Sequence, residues 1–160
     1  MKNRKLSAML ADALAAAMLL MGCAAASSQP TASSSETESV EDTAMKMKIE
    51  VNGSLFTATL ADNAAVDALA DWVEEGPVTL ELSDYAGFEK VGPLGRSLPA
   101  SDSQTTTHAG DIVLYRGDQI VLFYGSNSWS YTRLGRIDDL TGWEDALGGG
   151  DVTVTLSLEG

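Results

Sequence analysis

The 160-residue chain contains little of the side-chain chemistry on which most catalytic and metal sites depend. It has one cysteine, Cys23, and one histidine, His108, so it can form neither an intrachain disulfide nor a two-histidine metal site. A Ser-His-Asp triad would depend on that single histidine, and the Gly-x-Ser-x-Gly turn that often carries its nucleophile is missing. We therefore predict no catalytic residue, no metal and no cofactor.

Basic side chains are also scarce, with 10 Lys and Arg against 23 Asp and Glu and a formal net charge of −13. Three of the basic residues and one of the acids lie within residues 1–22, so cleavage there would make the chain still more acidic. Such a protein repels nucleic acid, because the phosphate backbone is also negative. No basic patch interleaved with aromatic residues is present, and nucleic acid is therefore not predicted to be a partner.

Residues 1–22 have the features of an export signal. A basic stretch at residues 2–5 precedes a mostly apolar segment over residues 6–21, which is shorter than the roughly 20 residues that span a bilayer. The Leu-Met-Gly-Cys tetrapeptide that ends at Cys23 resembles the lipobox of a bacterial lipoprotein signal. That resemblance implies cleavage before Cys23 and a diacylglycerol anchor on its thiol, at the extracytoplasmic face of the bacterial cell envelope. The alternatives are an ordinary signal peptide cut elsewhere and an N-terminal anchor helix.

Residues 23–44 consist mostly of Ala, Ser, Thr, Gln, Pro and Glu, with almost no large apolar side chain. Such a segment cannot offset the entropy of its own ordering, so we predict a disordered tether. Residues 45–160 then form one domain, predicted to be monomeric. Without a disulfide, this domain must be stabilised by a hydrophobic core.

Alternation of apolar and polar residues predicts several strands in this domain. Asn52-Gly53 is typical of a type I′ hairpin turn, in which both central residues have positive φ. Arg116-Gly117-Asp118 resembles an integrin-recognition motif, but the same residues also suit a tight turn between two apolar strands. The predicted strands lie within residues 45–51, 56–60, 78–82, 112–115, 120–124 and 152–158.

Two short helices interrupt the strands. Asp62 or Asn63 is predicted to cap the first, and Gly76-Pro77 ends it. Thr141 and Glu144 have capping-box spacing at the start of the second helix, for which Asp138 and Asp139 are also interpreted as caps, and a glycine run over residues 148–150 ends it. A mainly β domain with two short helices favours a closed or nearly closed barrel, although a sandwich would give the same pattern.

Residues 108–115 (His-Ala-Gly-Asp-Ile-Val-Leu-Tyr), 120–124 and 128–139 (Ser-Trp-Ser-Tyr-Thr-Arg-Leu-Gly-Arg-Ile-Asp-Asp) resemble the small bacterial cyclophilin-like domain family. The opening hairpin with its helix and the closing Val-Thr-Val-Thr strand are similar to that family too, so the resemblance covers residues 47–159. It implies a cyclophilin-like closed eight-stranded β-barrel with two helices. It does not imply prolyl isomerase activity, because this family is defined by its fold and largely lacks an assigned function.

The residues that carry catalysis in true cyclophilins have no clear counterpart here. Only residues 119–123 (Gln-Ile-Val-Leu-Phe) are similar to one of three family segments, and Arg96 lies in a Gly- and Pro-rich loop without a pocket motif. We therefore predict a non-enzymatic module that binds a ligand or a protein. A diverged peptidyl-prolyl isomerase, or another extracytoplasmic enzyme, is the alternative.

Five residues are the candidates for ligand binding, because aromatic and arginine side chains lie close together in the sequence. They could line a cleft for a peptide or a small anionic ligand, through ring stacking and bidentate hydrogen bonds. The alternative is that the arginines form ion pairs with carboxylates while the aromatic rings fill the barrel. The candidates are Tyr124, Trp129, Tyr131, Arg133 and Arg136.

Overall fold

A computed structural model describes residues 44–159. The predicted signal peptide, Cys23 and all but the last residue of the predicted tether lie outside the described residues. The described part contains nine strands and two helices. They are β1 Lys46–Val51, β2 Ser54–Leu60, α1 Ala64–Glu74, β3 Val78–Tyr85, β4 Glu89–Pro93, β5 Ser103–Thr106, β6 Asp111–Tyr115, β7 Gln119–Phe123, β8 Ser128–Ile137, α2 Trp143–Leu147 and β9 Val152–Leu158.

Eight of these strands form a closed antiparallel barrel, as the family resemblance implied. The strand order is β2-β1-β9-β3-β4-β7-β6-β8, and β8 pairs back with β2 to close the barrel. The closing contact is short, joining Ala58 to Ile137 and Leu60 to Gly135. The ninth strand, β5, pairs with the first residues of β8. A sandwich is therefore excluded.

The interior of the barrel is filled by the alternate apolar residues that the sequence pattern predicted. Met47, Ile49 and Val51 of β1 are all buried, as are Val152, Val154 and Leu156 of β9. The two helices add Leu69 and Trp143 to the same core. Neither helix in residues 44–159 has the length and apolar character that crossing a membrane requires.

The two predicted hairpin turns have the expected backbone. Asn52 and Gly53 have φ angles of 48° and 83°, and Arg116 and Gly117 have φ angles of 55° and 80°. Positive φ at both central residues matches the twist of the flanking strands. The Arg-Gly-Asp tripeptide is thus part of a tight β6–β7 turn, in which Asp118 N–H donates to the backbone oxygen of Tyr115.

Helix α1 is capped by one of the two residues that the sequence predicted, Asp62 or Asn63. Asn63 is its N-cap, and the side-chain oxygen of Asn63 accepts hydrogen bonds from the N–H groups of Ala65 and Val66, both 3.1 Å long. Such a cap supplies acceptors for N–H groups that have no partner within the helix.

The predicted capping of helix α2 was wrong. Gly142 is its N-cap, with a φ of 76°, and no side chain caps the helix. Asp139 instead accepts a hydrogen bond from the N–H of Thr141, and Asp138 forms an ion pair with Lys46, 2.9 Å long. The left-handed backbone at Gly142 delays the start of the helix, so the spacing of Thr141 and Glu144 does not produce a capping box.

Candidate functional site

A second apolar cluster lies on the outer surface of the barrel. Successive strand residues point to opposite faces, so Ile120 and Leu122 of β7 enter the barrel while Val121 and Phe123 point outward. Tyr131 of β8 packs with these outward residues and is 4% exposed. The sequence pattern of continuous apolar residues in β7 is explained by this second cluster, which covers the outer face of the strand.

Aromatic rings dominate this outer cluster. The ring of Tyr131 lies 5.7 Å from that of Phe123, at an interplanar angle of 72°, and 6.0 Å from that of Tyr115, at 65°. Phe88 stacks against Phe123 at 6.5 Å, and Tyr85 meets Phe88 edge to face at 6.1 Å. These separations are in the range of favourable aromatic pairs, so the rings hold one another in position.

The outer pocket is an open cavity beside this cluster, with a volume of about 370 Å³. Trp129 and Tyr85, which are 58% and 57% exposed, are among its lining residues. Cavities of this size lined by aromatic side chains are typical small-molecule sites. The lining residues come from five strands and one loop, and they are Tyr85, Glu89, Val91, Tyr115, Gln119, Val121, Asn127, Trp129 and Tyr131.

Glu89 is the one acidic residue in the lining, and it is only 7% exposed. Its position follows from strand pairing, since β4 pairs Glu89 with Tyr85 on one side and with Phe123 on the other. Among the described residues, its Oε2 atom has no hydrogen-bond partner. Burial raises the pKa of the Glu89 carboxyl to about 7. A buried carboxylate without a partner is costly, because ionised groups strongly prefer water.

The neighbouring residue, Lys90, points into the barrel instead. Its side chain is fully buried, and Nζ donates to Asp84 at 2.8 Å and to the backbone oxygens of Gly148 and Gly150 at 2.8 and 2.7 Å. The hydrogen bond from Lys90 lowers the pKa of the Asp84 carboxyl. The hydroxyl of Tyr124 donates to the same carboxylate, and burial, together with that bond, raises the pKa of Tyr124 to about 12. Tyr124 therefore belongs to an internal polar network and does not line the outer pocket.

Arg133 and Arg136 lie in a different groove, on either side of Asp111. The Asp111 side chain is 2% exposed, and its carboxylate lies 3.6 Å from Arg133 Nη1 and 3.9 Å from Arg136 Nε. A register shift between Ile112 and Val113 inserts an extra residue into β8, which lets both arginines reach the same carboxylate. These are the ion pairs that the alternative interpretation predicted.

The five candidate residues therefore do not share one cleft. Trp129 and Tyr131 line the outer pocket, while Tyr124, Arg133 and Arg136 lie elsewhere. Arg96 is outside the pocket too, because its guanidinium lies over the ring of Trp72, 4.2 Å from the centroid. His108 is 65% exposed in its side chain, and its backbone N–H donates to Asp111 at 2.9 Å.

Sequence reasoning missed Tyr85, Glu89 and Tyr115. A local signal existed for the first two, because Ala86-Gly87 between them forms a hairpin turn with φ angles of 54° and 75°. A turn brings its flanking residues into register. Within residues 44–159, no group of three or more His, Cys, Asp or Glu side chains is placed to hold a metal ion.

Comparison with known proteins agrees with this architecture. The model of the Cyclophilin-like family matches residues 49–157. The solution structure of a hypothetical protein from Archaeoglobus fulgidus is similar, with 16% sequence identity and a TM-score of 0.50, and the match covers 72% of this chain and 95% of the archaeal one. At that identity the likeness concerns the fold alone. No curated protein matches this sequence.

Proposed function

Because the chain belongs to the Cyclophilin-like family, we propose that its barrel is a non-enzymatic binding domain whose ligand site is the outer pocket. The observation that carries the proposal is that Trp129 and Tyr85, two of the few large apolar side chains exposed in the described residues, line the same cavity. Exposed apolar side chains that cluster beside a cavity mark surfaces that contact another molecule.

The pocket suits a small organic group. Its volume of about 370 Å³ lies near the lower end of the range for ligand sites. Val91, Val121 and the aromatic rings provide apolar walls, while Gln119 and Asn127 add amide groups. A free small molecule, or one side chain of a larger partner, would match that combination of size and lining.

Catalysis of proline isomerisation is the alternative, and the composition of the pocket does not favour it. None of the residues that line the outer pocket is an arginine, the residue that polarises the amide in true cyclophilins. A proline-isomerisation assay at high protein concentration tests this point. We expect the rate to equal the uncatalysed rate, and a rate that increases with protein concentration would contradict the non-enzymatic role.

We also propose that lipid on Cys23 carries the domain on the extracytoplasmic face of a bacterial membrane, with residues 23–44 as the tether. The support is the signal pattern of residues 1–22 and the position of the single cysteine directly after it. The full chain, produced in a bacterial host that is fed labelled palmitate, should incorporate the label, and Cys23→Ala should not. Equal labelling of the two proteins would contradict the anchor.

Three small probes that have nearly the same shape but different charges test the binding proposal. They are choline, neutral 3,3-dimethyl-1-butanol and the anion 3,3-dimethylbutanoate, each added to ¹⁵N-labelled protein while amide chemical shifts are recorded. We expect at least one probe to shift amides of the pocket lining, and Trp129→Ala to weaken that response. Leu55→Ala is the control, because Leu55 is 62% exposed and lies outside this pocket. Shifts with no probe, or only outside the lining, would contradict the proposed site.

A further inference from the structure

We propose that the outer pocket binds an alkylammonium ion, with the carboxylate of Glu89 as its counter-ion and the surrounding aromatic rings as its walls. This inference rests on the proposed function, because it names the ligand class of the same pocket. It covers both a free alkylammonium compound and the side chain of a lysine in a peptide, since the two present the same chemistry.

Within residues 44–159, the pocket contains a carboxylate without a partner. Glu89 is 7% exposed, lines the pocket and leaves its Oε2 atom without a hydrogen-bond partner among the described residues. Native proteins rarely leave a buried polar atom unsatisfied, and such an atom calls for a specific explanation. No lysine, arginine or histidine lines the pocket to neutralise Glu89. A bound ammonium ion would supply the counter-charge, and one that carries N–H groups would also donate the missing hydrogen bond.

Four aromatic residues line the pocket. Trp129, Tyr85, Tyr115 and Tyr131 contribute rings to the same cavity. Aromatic faces carry negative charge density, so they attract ammonium groups, and cages of such rings are a known means of recognising quaternary ammonium. One ring already contacts a cation within the chain, because the guanidinium of Arg116 lies over Tyr115, 5.1 Å from its centroid.

Other ligand classes fit this lining less well. An anion would meet an unneutralised carboxylate, in a chain whose formal net charge is −13. A metal ion prefers several oxygen ligands, whereas the lining contains one carboxylate and several rings. A neutral compound would fill the apolar part of the pocket but would leave Glu89 without a partner. An alkylammonium ion satisfies both the carboxylate and the rings.

Glu89 gives the pocket a charge that changes with pH in the neutral range, because burial raises the pKa of its carboxyl to about 7. The titratable groups that face it are the phenols of Tyr85 on β3, Tyr115 on β6 and Tyr131 on β8. Burial and the charge of Glu89 raise the pKa of Tyr131. The guanidinium of Arg116 lies over the Tyr115 ring. Below about pH 7 the carboxyl of Glu89 carries a proton, and a cation that binds the carboxylate should therefore release it.

The test uses calorimetry at about pH 8 to compare the affinities of choline, 3,3-dimethyl-1-butanol and Nα-acetyl-lysine methylamide, whose side-chain ammonium group is free. We expect choline or the lysine derivative to bind at least about tenfold more tightly than the neutral alcohol. A tenfold difference in affinity is what one charged hydrogen bond or ion pair in a buried site contributes. Glu89→Gln should remove that preference while binding of the alcohol persists. Glu50→Gln, an equal charge change at an exposed residue outside the pocket, should not alter it.

Proton release gives a second readout. At about pH 6 the wild-type protein should release close to one proton for each cation bound, and at about pH 8.5 almost none, because the carboxyl is then already ionised. Stronger binding of choline assigns the site to small quaternary compounds, and stronger binding of the lysine derivative assigns it to peptides. If neither cation binds more tightly than the alcohol, or if Glu89→Gln and wild type have equal affinity for the preferred cation, the inference is overturned but the pocket remains a binding site. If no probe binds, the proposed function fails as well.

Discussion

Replacing Glu89 with glutamine should remove a large pH dependence from the free energy of unfolding. Burial raises the pKa of this carboxyl from 4.5 to about 7, so the folded state holds a proton that the unfolded state has lost between these values. Stability therefore falls as pH rises through this window. At about 1.4 kcal/mol for each pH unit, the total loss is about 3 kcal/mol.

Glutamine has the same shape as the protonated carboxyl and does not ionise. At about pH 5 the variant and the wild type should therefore be similarly stable, and at about pH 8.5 the variant should be more stable by about 3 kcal/mol. For a domain of this size, that difference raises the melting temperature by about 10 °C. Carboxyls with a lowered pKa, such as Asp84, act in the opposite direction near and below pH 4 and are the same in both proteins.

Urea denaturation at the two pH values, followed by the fluorescence of the buried Trp143, measures these free energies. The change in unfolding free energy between the two pH values is measured for each protein, and the difference between these two changes is the contribution of Glu89. If wild type and variant lose the same stability between about pH 5 and pH 8.5, the carboxyl is not buried and unpartnered in solution. The outer pocket would then contain no unpartnered carboxylate that could bind a cation.

Three further predictions concern the scaffold. Lys90→Met should destabilise the barrel by about 3 kcal/mol in urea denaturation, because it leaves Asp84 and two backbone oxygens without their buried donor. Gly135→Ala should cost at least about 2 kcal/mol, since its Cβ would lie 2.6 Å from a backbone oxygen of β2, whereas Gly149→Ala, with open space around it, should have little effect. Asn63→Ala should lower the melting temperature, because loss of this helix cap lowers the free energy of unfolding by about 1 kcal/mol. Unchanged stability in Lys90→Met, Gly135→Ala or Asn63→Ala would contradict the contact concerned.

Local patterns in the sequence were sufficient for the elements that carry their own signal. The β1–β2 hairpin, the β6–β7 hairpin and β9 were predicted because apolar periodicity and turn residues are both encoded within a few positions. Strand β4 was missed because a lysine, Lys90, occupies an inward position and because Gly92 and Pro93 follow it. Strand β5 is entirely polar, and only its pairing with β8 gives it a place in the sheet.

Two of the five candidate residues, Trp129 and Tyr131, line the outer pocket. The sequence singled them out because aromatic and arginine side chains lie close together there. Arg136 lies outside this pocket, because a strand rises about 3.3 Å for each residue, which places Arg136 about 23 Å along β8 from Trp129. The Ala86-Gly87 turn could have paired Glu89 with Tyr85, but the burial of Glu89 depends on strands that are distant in the chain, such as β7, and no local pattern indicates it.

The position of β9 has a consequence for how this protein reaches its native state. The last strand of the chain lies between β1 and β3, two strands that come from the first part of the domain, and pairs Met47 with Leu158. Until residues 152–158 have emerged from the ribosome, β1 and β3 both present an unpaired edge. Contacts between such distant residues also slow folding. The barrel therefore closes only after β9 has been synthesised, and chaperones that cover strand edges would act on it until then.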